Sequence, residues 1–162
     1  MKQNLEGITE THAHPPLWAR ARETKMENPI IRDEKALEMM EQIDYDFEKF
    51  ERGRMPQVSM SIRTELLDKV TQYFIIRNED GTIVNLGCGL DTRYSRLDNQ
   101  KIYWYDLDLP EPIRIRRRFF KETERYKMIA RSVFDYTWMD EIKTDKPILI
   151  IVGGVADVVP GR

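Results

Sequence analysis

A glycine-rich turn is the strongest candidate for chemistry in this sequence. The segment Asn85-Leu-Gly-Cys-Gly-Leu-Asp-Thr-Arg93 places Gly87 and Gly89 directly after a short apolar run. Glycine allows a tight turn and lets a ligand approach the backbone without a Cβ in the way. A helix starting near Asp91 would present unpaired N–H groups and a partial positive charge there. The pattern is typical of a nucleotide-binding turn, and an ordinary strand-to-helix turn is the alternative.

An acidic pair, Asp106 and Asp108, follows the next apolar run. Asp108 comes 19 positions after Gly89, close to the spacing of about 20 residues seen for a ribose-binding acid. A carboxylate at this place can accept hydrogen bonds from both ribose hydroxyls. Two alternatives remain open: both aspartates are solvated loop residues, or Asp108 caps a helix that starts at Pro110. Thr92 occupies the position of the third glycine of a dinucleotide fingerprint, which disfavours NAD.

Other polar residues give weaker signals. Arg63, on the helix before the first strand, is either a surface arginine or a ligand-binding one. His12 and His14 lack partners at metal-ligand spacing, so we expect no metal site. Cys88 has no histidine placed to activate it as a nucleophile. The basic run from Arg114 to Lys121 predicts a helix with a charged face, with Phe119 and Phe120 in the core, rather than a nucleic-acid patch.

In the second half of the chain, predicted strands alternate with predicted helices. Helices are predicted from Pro110 to about Glu124 and, weakly, from Trp138 to Lys143. This alternation predicts an α/β fold with a parallel sheet. The last strand is apolar throughout, as expected for a strand covered on both faces. Four strands are predicted: Thr82 to Leu86, Ile102 to Tyr105, Lys127 to Ala130, and Ile148 to Val152.

The first half, up to about residue 78, reads as helical. Asp33 is a plausible N-cap for a helix whose apolar residues share one face, and a short helix is possible from Trp18 to Lys25. A further helix is predicted from about Gln57 to Ile76. We expect both apolar stripes to pack on the domain core. The first stripe is Ala36, Met40, Ile43, Phe47 and Phe50; the second is Ile62, Leu66, Val70 and Tyr73.

Length and composition fit one globular domain. The chain has 162 residues, 26 Lys and Arg, 28 Asp and Glu, and one cysteine. One cysteine excludes a disulfide framework and a cysteine-rich zinc site. The near-neutral charge argues against a nucleic-acid partner. No apolar run reaches the roughly 18–20 residues of a membrane helix, and no signal-peptide pattern precedes the first helix, so we expect a cytoplasmic protein without a membrane partner.

Taken together, two motifs resemble the leucine carboxyl methyltransferase family, including its polyketide O-methyltransferase-like members. They are Leu86-Gly-Cys-Gly-Leu-Asp-Thr-Arg93 and Tyr103-Trp-Tyr-Asp-Leu-Asp-Leu-Pro110. The upstream Trp18-Ala-Arg-Ala-Arg-Glu23 is similar too. The resemblance implies a Rossmann-like parallel sheet with helices on both faces, preceded by an N-terminal helical segment. It also implies S-adenosylmethionine as cofactor and O-methyl transfer to a small-molecule acceptor or a protein carboxylate.

The resemblance also implies roles for individual residues. Arg63 would pair with the methionine carboxylate of the cofactor, and Gly87 and Gly89 would line its methionine and ribose region. Asp108 would hold the ribose hydroxyls, and Ser132 with Val133 would lie near the adenine. No residue is assigned a catalytic step.

Members of the family continue beyond the point where this sequence ends at Arg162. We therefore expect a single partial methyltransferase domain, with a helical cap over residues 1–78 and the first half of a Rossmann-like core over residues 79–162. In the family's sheet order the fourth strand lies beside the first. The strand at 148–152 would then form an apolar sheet edge, which predicts self-association.

Two other functions stay open. The chain could be a non-catalytic Rossmann-like domain, or a fragment of an NAD-dependent oxidoreductase.

Overall fold

The computed structural model of the chain describes residues 14–47 and 54–153. By their contacts the residues fall into two compact units. The first comprises Met1–Val70 and Leu90–Leu97, and the second comprises Thr71–Gly89 and Asp98–Arg162. This division differs from the predicted boundary at residue 78, which stays a prediction.

The second unit is built on a four-stranded parallel sheet in the order β3-β2-β1-β4. Both neighbours of β1 run parallel to it, and β3 runs parallel to β2. The Rossmann-like α/β prediction is therefore confirmed. The strands are β1 (Thr82–Leu86), β2 (Tyr103–Asp108), β3 (Tyr126–Ala130) and β4 (Ile148–Val152).

Burial explains why β1 forms the centre of this sheet. All five of its residues are buried, and three of them carry β-branched side chains, which suit a strand packed on both faces. On one side an apolar cluster joins Val84 and Leu107 to Ile129 and Trp138. The predicted strand bounds are confirmed for β1 and β4 and differ by one to three residues for β2 and β3.

Helices in the second unit are shorter than predicted. The helix predicted to reach Glu124 is α5 (Pro110–Arg116), because the chain turns through residues 117–119 instead of continuing. Pro110 and Pro112 lie in its first turn, where their missing N–H groups cost nothing. A 3-10 helix (Tyr136–Glu141) replaces the weak helix predicted from Trp138 to Lys143.

In the first unit, α1 (His14–Thr24) and α2 (Glu34–Gln42) are followed by the start of α3 (Arg54–Arg77). The unit also contains the short α4 (Arg93–Leu97). Asp33 caps α2 as predicted, because its side chain accepts the N–H of Ala36. The stripe predicted along α2 ends at Ile43, so Phe47 lies beyond the helix, and Phe50 lies outside the described residues.

The apolar stripe of α3 is exposed, and the prediction that it packs on the core is wrong. The exposed fractions of Ile62, Leu66, Val70 and Tyr73 lie between 45% and 58%. The opposite face is buried although it is mostly polar. Its residues are Gln57, Ser61, Thr64, Asp68, Thr71 and Ile75.

Local and remote hydrogen bonds make this polar burial possible. The hydroxyl of Ser61 donates to the Gln57 carbonyl, and that of Thr64 donates to the Met60 carbonyl. The Gln57 side chain donates to Glu23 over 2.8 Å. Because the buried groups are satisfied, the penalty for removing them from water is offset.

The strand β4 is covered less than predicted. Ile148, Ile150 and Val152 are each about half exposed, whereas Ile151 between them is buried. The expectation of cover on both faces is therefore wrong for the part of the chain that the structure describes, and β4 is an edge of the sheet there, as predicted from the family's sheet order.

Across residues 14–47 and 54–153, no helix is both long enough and apolar enough to cross a membrane.

Candidate functional site

The carboxyl ends of β1, β2 and β3 meet at one edge of the sheet. Leu86 of β1 pairs with Leu107, and Asp108 at the end of β2 pairs with Ala130 of β3. The chain leaves β1 towards β2 on one side, and β4 pairs with β1 on the other. Ligands of open α/β sheets bind outside the carboxyl ends of the strands at such a switch point.

The turn after β1 has the backbone that its glycines permit. Gly87 has φ 64° and Gly89 has φ 45°, a left-handed region that side-chain-bearing residues rarely adopt. The N–H groups of Gly87 and Cys88 both donate to the Leu107 carbonyl, over 2.8 and 3.2 Å. The turn is thereby folded back onto the end of β2.

Asp108 faces this turn. Its Oδ2 accepts the N–H of Gly89 over 2.7 Å, and its Oδ1 accepts the N–H of Leu109 over 2.7 Å. The structure thus brings Gly89 and Asp108 together, while their role toward a ligand stays a prediction. The capping alternative is not seen, since Leu109 is the N-cap of α5 and has no side-chain capping bond.

Burial raises the pKa of the Asp108 carboxyl above its usual value, because an anion loses water contacts there. The two backbone N–H donors and the charge of Arg116 act in the opposite direction, and the charge of Asp106 adds to the rise. Each carboxylate oxygen accepts one backbone N–H and retains a further lone pair. The side chain is therefore equipped to accept a pair of hydroxyl groups.

Asp106 is fully buried, so a solvated loop position is wrong for this residue. Its Oδ2 accepts hydrogen bonds from Arg116 Nε over 2.8 Å and from the Tyr126 hydroxyl over 2.7 Å. Its Oδ1 accepts from Asn85 and Trp104. Arg116, expected on a charged helix face, is itself fully buried. Nothing in the sequence indicates this burial, because Arg116 lies in a basic run that is typical of a charged helix face.

The segment after β3 adjoins the same edge. The N–H of Arg131 donates to the Asp108 carbonyl over 2.9 Å, which places the following Ser132 and Val133 next to the end of β2. Both are half-buried. The Val133 carbonyl accepts the indole N–H of Trp138 over 3.1 Å, so this loop is anchored. Their contact with adenine stays a prediction.

Arg63 lies on α3 within the first unit, and its side chain is exposed. The pairing of this residue with a cofactor carboxylate stays a prediction. His12 and the side chain of His14 lie outside what the structure describes. Within the described ranges, no three His, Cys, Asp or Glu residues are grouped so that they could hold a metal ion.

A buried ion network in the first unit accounts for the Asp-Thr-Arg motif. Arg93 donates to Asp68 over 2.7 Å and pairs with Asp91. Arg96 pairs with both Asp68 and Asp33. Thr92, in place of the third glycine, is buried and its hydroxyl donates to Asp33.

Arg20 completes this network, because it pairs with Asp33 over 2.8 Å and donates to the Leu90 carbonyl over 2.8 Å. Sequence reasoning missed Arg20, Asp68 and Arg96, since charged residues on helices usually face water. The motif therefore holds the first unit together around α4.

Comparisons with known proteins point to one family. A model of the family described as leucine carboxyl methyltransferase matches residues 15–138. The tetracenomycin polyketide synthesis O-methyltransferase TcmP of Streptomyces glaucescens is 32% identical over 93% of this chain and 56% of its own length. The S-adenosyl-L-methionine-dependent methyltransferase dpfgK of Gibberella zeae is 29% identical over 95% of this chain and 57% of its own.

The chain thus spans a little over half the length of these two curated relatives. The family model covers the glycine turn, both aspartates of β2 and the segment after β3. The match together with the parallel sheet leads to one conclusion. The chain belongs to the leucine carboxyl methyltransferase family, whose cofactor is S-adenosylmethionine.

Proposed function

We propose that this chain binds S-adenosylmethionine at the carboxyl ends of β1 and β2 and serves methyl transfer to an oxygen atom. One observation carries the proposal: the Asp108 carboxylate lies against the positive-φ glycine turn, 2.7 Å from the Gly89 N–H. Family membership and the relative dpfgK support the same cofactor, and the O-methyltransferase TcmP supports the O-methyl chemistry. The acceptor would be a small molecule or a protein carboxylate.

The residues at this edge fit an adenosyl group. Asp108 offers acceptors for the ribose hydroxyls, and the absent side chains of Gly87 and Gly89 let a ligand lie close to the backbone. Ser132 and Val133 border the same edge, where a half-buried apolar side chain suits one face of an adenine ring. Thr92 stands where a dinucleotide fingerprint has its third glycine, which supports an adenosyl cofactor over a dinucleotide.

The task of these residues is alignment. When bound, S-adenosylmethionine supplies a methyl group on a cationic sulfur; an acceptor oxygen forms the new C–O bond as the C–S bond breaks. The chain would fix the adenosyl end so that the methyl group meets the acceptor in line, and such orientation supplies a large part of rate acceleration. A carboxylate acceptor is already ionised, whereas an alcohol or phenol needs a base.

Isothermal titration with S-adenosylhomocysteine and, separately, NAD tests the proposal. We expect the 162-residue chain to bind the first and not the second, and Asp108→Ala to abolish binding because the ribose hydroxyls lose their acceptor. Asp140→Ala, at an exposed position of the 3-10 helix, is the matched control and should bind normally. Binding of NAD alone, or unchanged affinity in Asp108→Ala, would contradict the assignment.

A further inference from the structure

A fully buried ion pair lies in the second unit next to the glycine turn. Asp106 and Arg116 have no exposed surface, and Arg116 Nε donates to Asp106 Oδ2 over 2.8 Å. Removing two charges from water is costly, and a well-packed apolar pair is often at least as stable. Stability alone is therefore a weak reason for a pair of this kind.

The pair reaches the turn through one hydrogen bond. Arg116 Nη1 donates to the Gly89 carbonyl over 3.1 Å. The N–H of the same glycine donates to Asp108 over 2.7 Å. Gly89 is thus held by hydrogen bonds at both its N–H and its carbonyl. Its φ is 45°, one of several backbone conformations open to glycine. The orientation of the Asp108 carboxylate depends in turn on the position of this N–H.

Further contacts fix the guanidinium in this place. Asp106 is held by Asn85 and Trp104 at Oδ1 and by the Tyr126 hydroxyl at Oδ2. Arg116 also lies over the ring of Phe120, 4.3 Å from its centroid. An arginine held by a carboxylate and an aromatic ring has few alternative conformations. Its Nη1 group is therefore held at a defined position, within hydrogen-bond reach of the Gly89 carbonyl.

We propose that Asp106 and Arg116 are positioning residues that hold Gly89, and through it Asp108, in the geometry that binds S-adenosylmethionine. The inference rests on the proposed function. It assigns no contact with the cofactor to either residue. The glycine turn and the spacing of Asp108 do not predict this role, because the pair acts on the turn through the hydrogen bond from Arg116 to the Gly89 carbonyl.

Two variants test the pair by titration with S-adenosylhomocysteine. Arg116→Lys keeps the positive charge but cannot serve both Asp106 and the Gly89 carbonyl, and we expect affinity to fall at least about tenfold. The double variant Asp106→Asn with Arg116→Met removes both charges and leaves no lone buried ion. We expect the same loss of affinity there.

Tyr126→Phe is the matched control. It removes the hydrogen bonds of the Tyr126 hydroxyl with Asp106 Oδ2 and with Arg116 Nε but leaves the hydrogen bond from Arg116 Nη1 to the Gly89 carbonyl in place, so we expect stability to fall while affinity changes less than about threefold. Far-UV circular dichroism and thermal melts establish that each variant is folded.

The pH profile separates positioning from a structural role. The N–H of Gly89 lowers the pKa of Asp108 by donating to its carboxylate. Arg116→Lys keeps the positive charge, so if Gly89 is displaced in this variant and its hydrogen bond to Asp108 is weakened, affinity should begin to fail at a higher pH than in the wild type. A loss of packing alone would not move this midpoint.

The outcomes are distinct. Absence of binding by the wild-type chain overturns the proposed function itself. Normal affinity and an unmoved midpoint in the folded variants overturn the positioning role, as does an equal loss in Tyr126→Phe. Failure of both the Arg116→Lys and the double variant to fold would assign the pair to stability and overturn the inference as well.

Discussion

Asp108 is the residue at which burial and function conflict most directly. Its pKa is raised by burial, yet it must be ionised to accept two hydroxyl hydrogens. Affinity for S-adenosylhomocysteine should be full above this raised pKa and fall as pH drops through it. The fall should start at a higher pH than an exposed carboxyl would give. Titrations across the acid range check this, and Asp108→Asn should remove the step.

A second residue-scale prediction concerns Asp33, which is completely buried and pairs with Arg20 and Arg96. Asp33→Ala leaves both guanidinium groups without this carboxylate and removes the cap of α2. We expect a cost of about 3–5 kcal/mol in unfolding free energy, measured by urea denaturation. The exposed neighbour Glu34→Ala is the control. A cost below about 1 kcal/mol, within the range of an exposed ion pair, would show that the network contributes little.

At the scale of elements, α3 shows how a correct helix prediction can give the wrong buried face. The spacing of its apolar residues indicates an amphipathic helix, and the helix is there. Which side faces inward depends on partners remote in sequence, such as Glu23 for Gln57 and Arg93 for Asp68. Those partners lie 34 and 25 positions away, beyond the reach of any local pattern.

The exposed stripe leads to a stability prediction. Leu66 is 57% exposed, whereas Leu17 of α1 has no exposed surface. Leu66→Ala should change the unfolding free energy by less than about 0.5 kcal/mol, and Leu17→Ala should cost about 2–5 kcal/mol. Denaturation of the two variants side by side measures the contrast. Equal costs would place the apolar face of α3 in a packed interior.

At the scale of the whole molecule, β4 carries the expectation of self-association. Ile148, Ile150 and Val152 are about half exposed on this edge strand, and a free strand edge can pair with a second chain. In sedimentation velocity experiments, the sedimentation coefficient should rise with protein concentration as two copies of the chain associate. Ile150→Lys should reduce the association because a charged residue disfavours edge pairing. A monomer at all concentrations would exclude this interface.

The sequence alone predicts several features correctly. They are the glycine turn, the acid 19 positions later, the Asp33 cap and the bounds of β1 and β4. Each depends on residues close in sequence, where backbone geometry and side-chain size act directly. The ends of the helices were less readable, since α5 stops at Arg116 although its apolar and charged pattern continues.

Only the tertiary structure decided which face of α3 is buried, that β4 is half exposed, and that Asp106 and Arg116 form a buried pair beside Gly89. The physical reason is the same in all three cases. A charged or polar side chain can leave water only when distant parts of the chain supply its hydrogen-bond partners, and an apolar one is buried only where another element covers it.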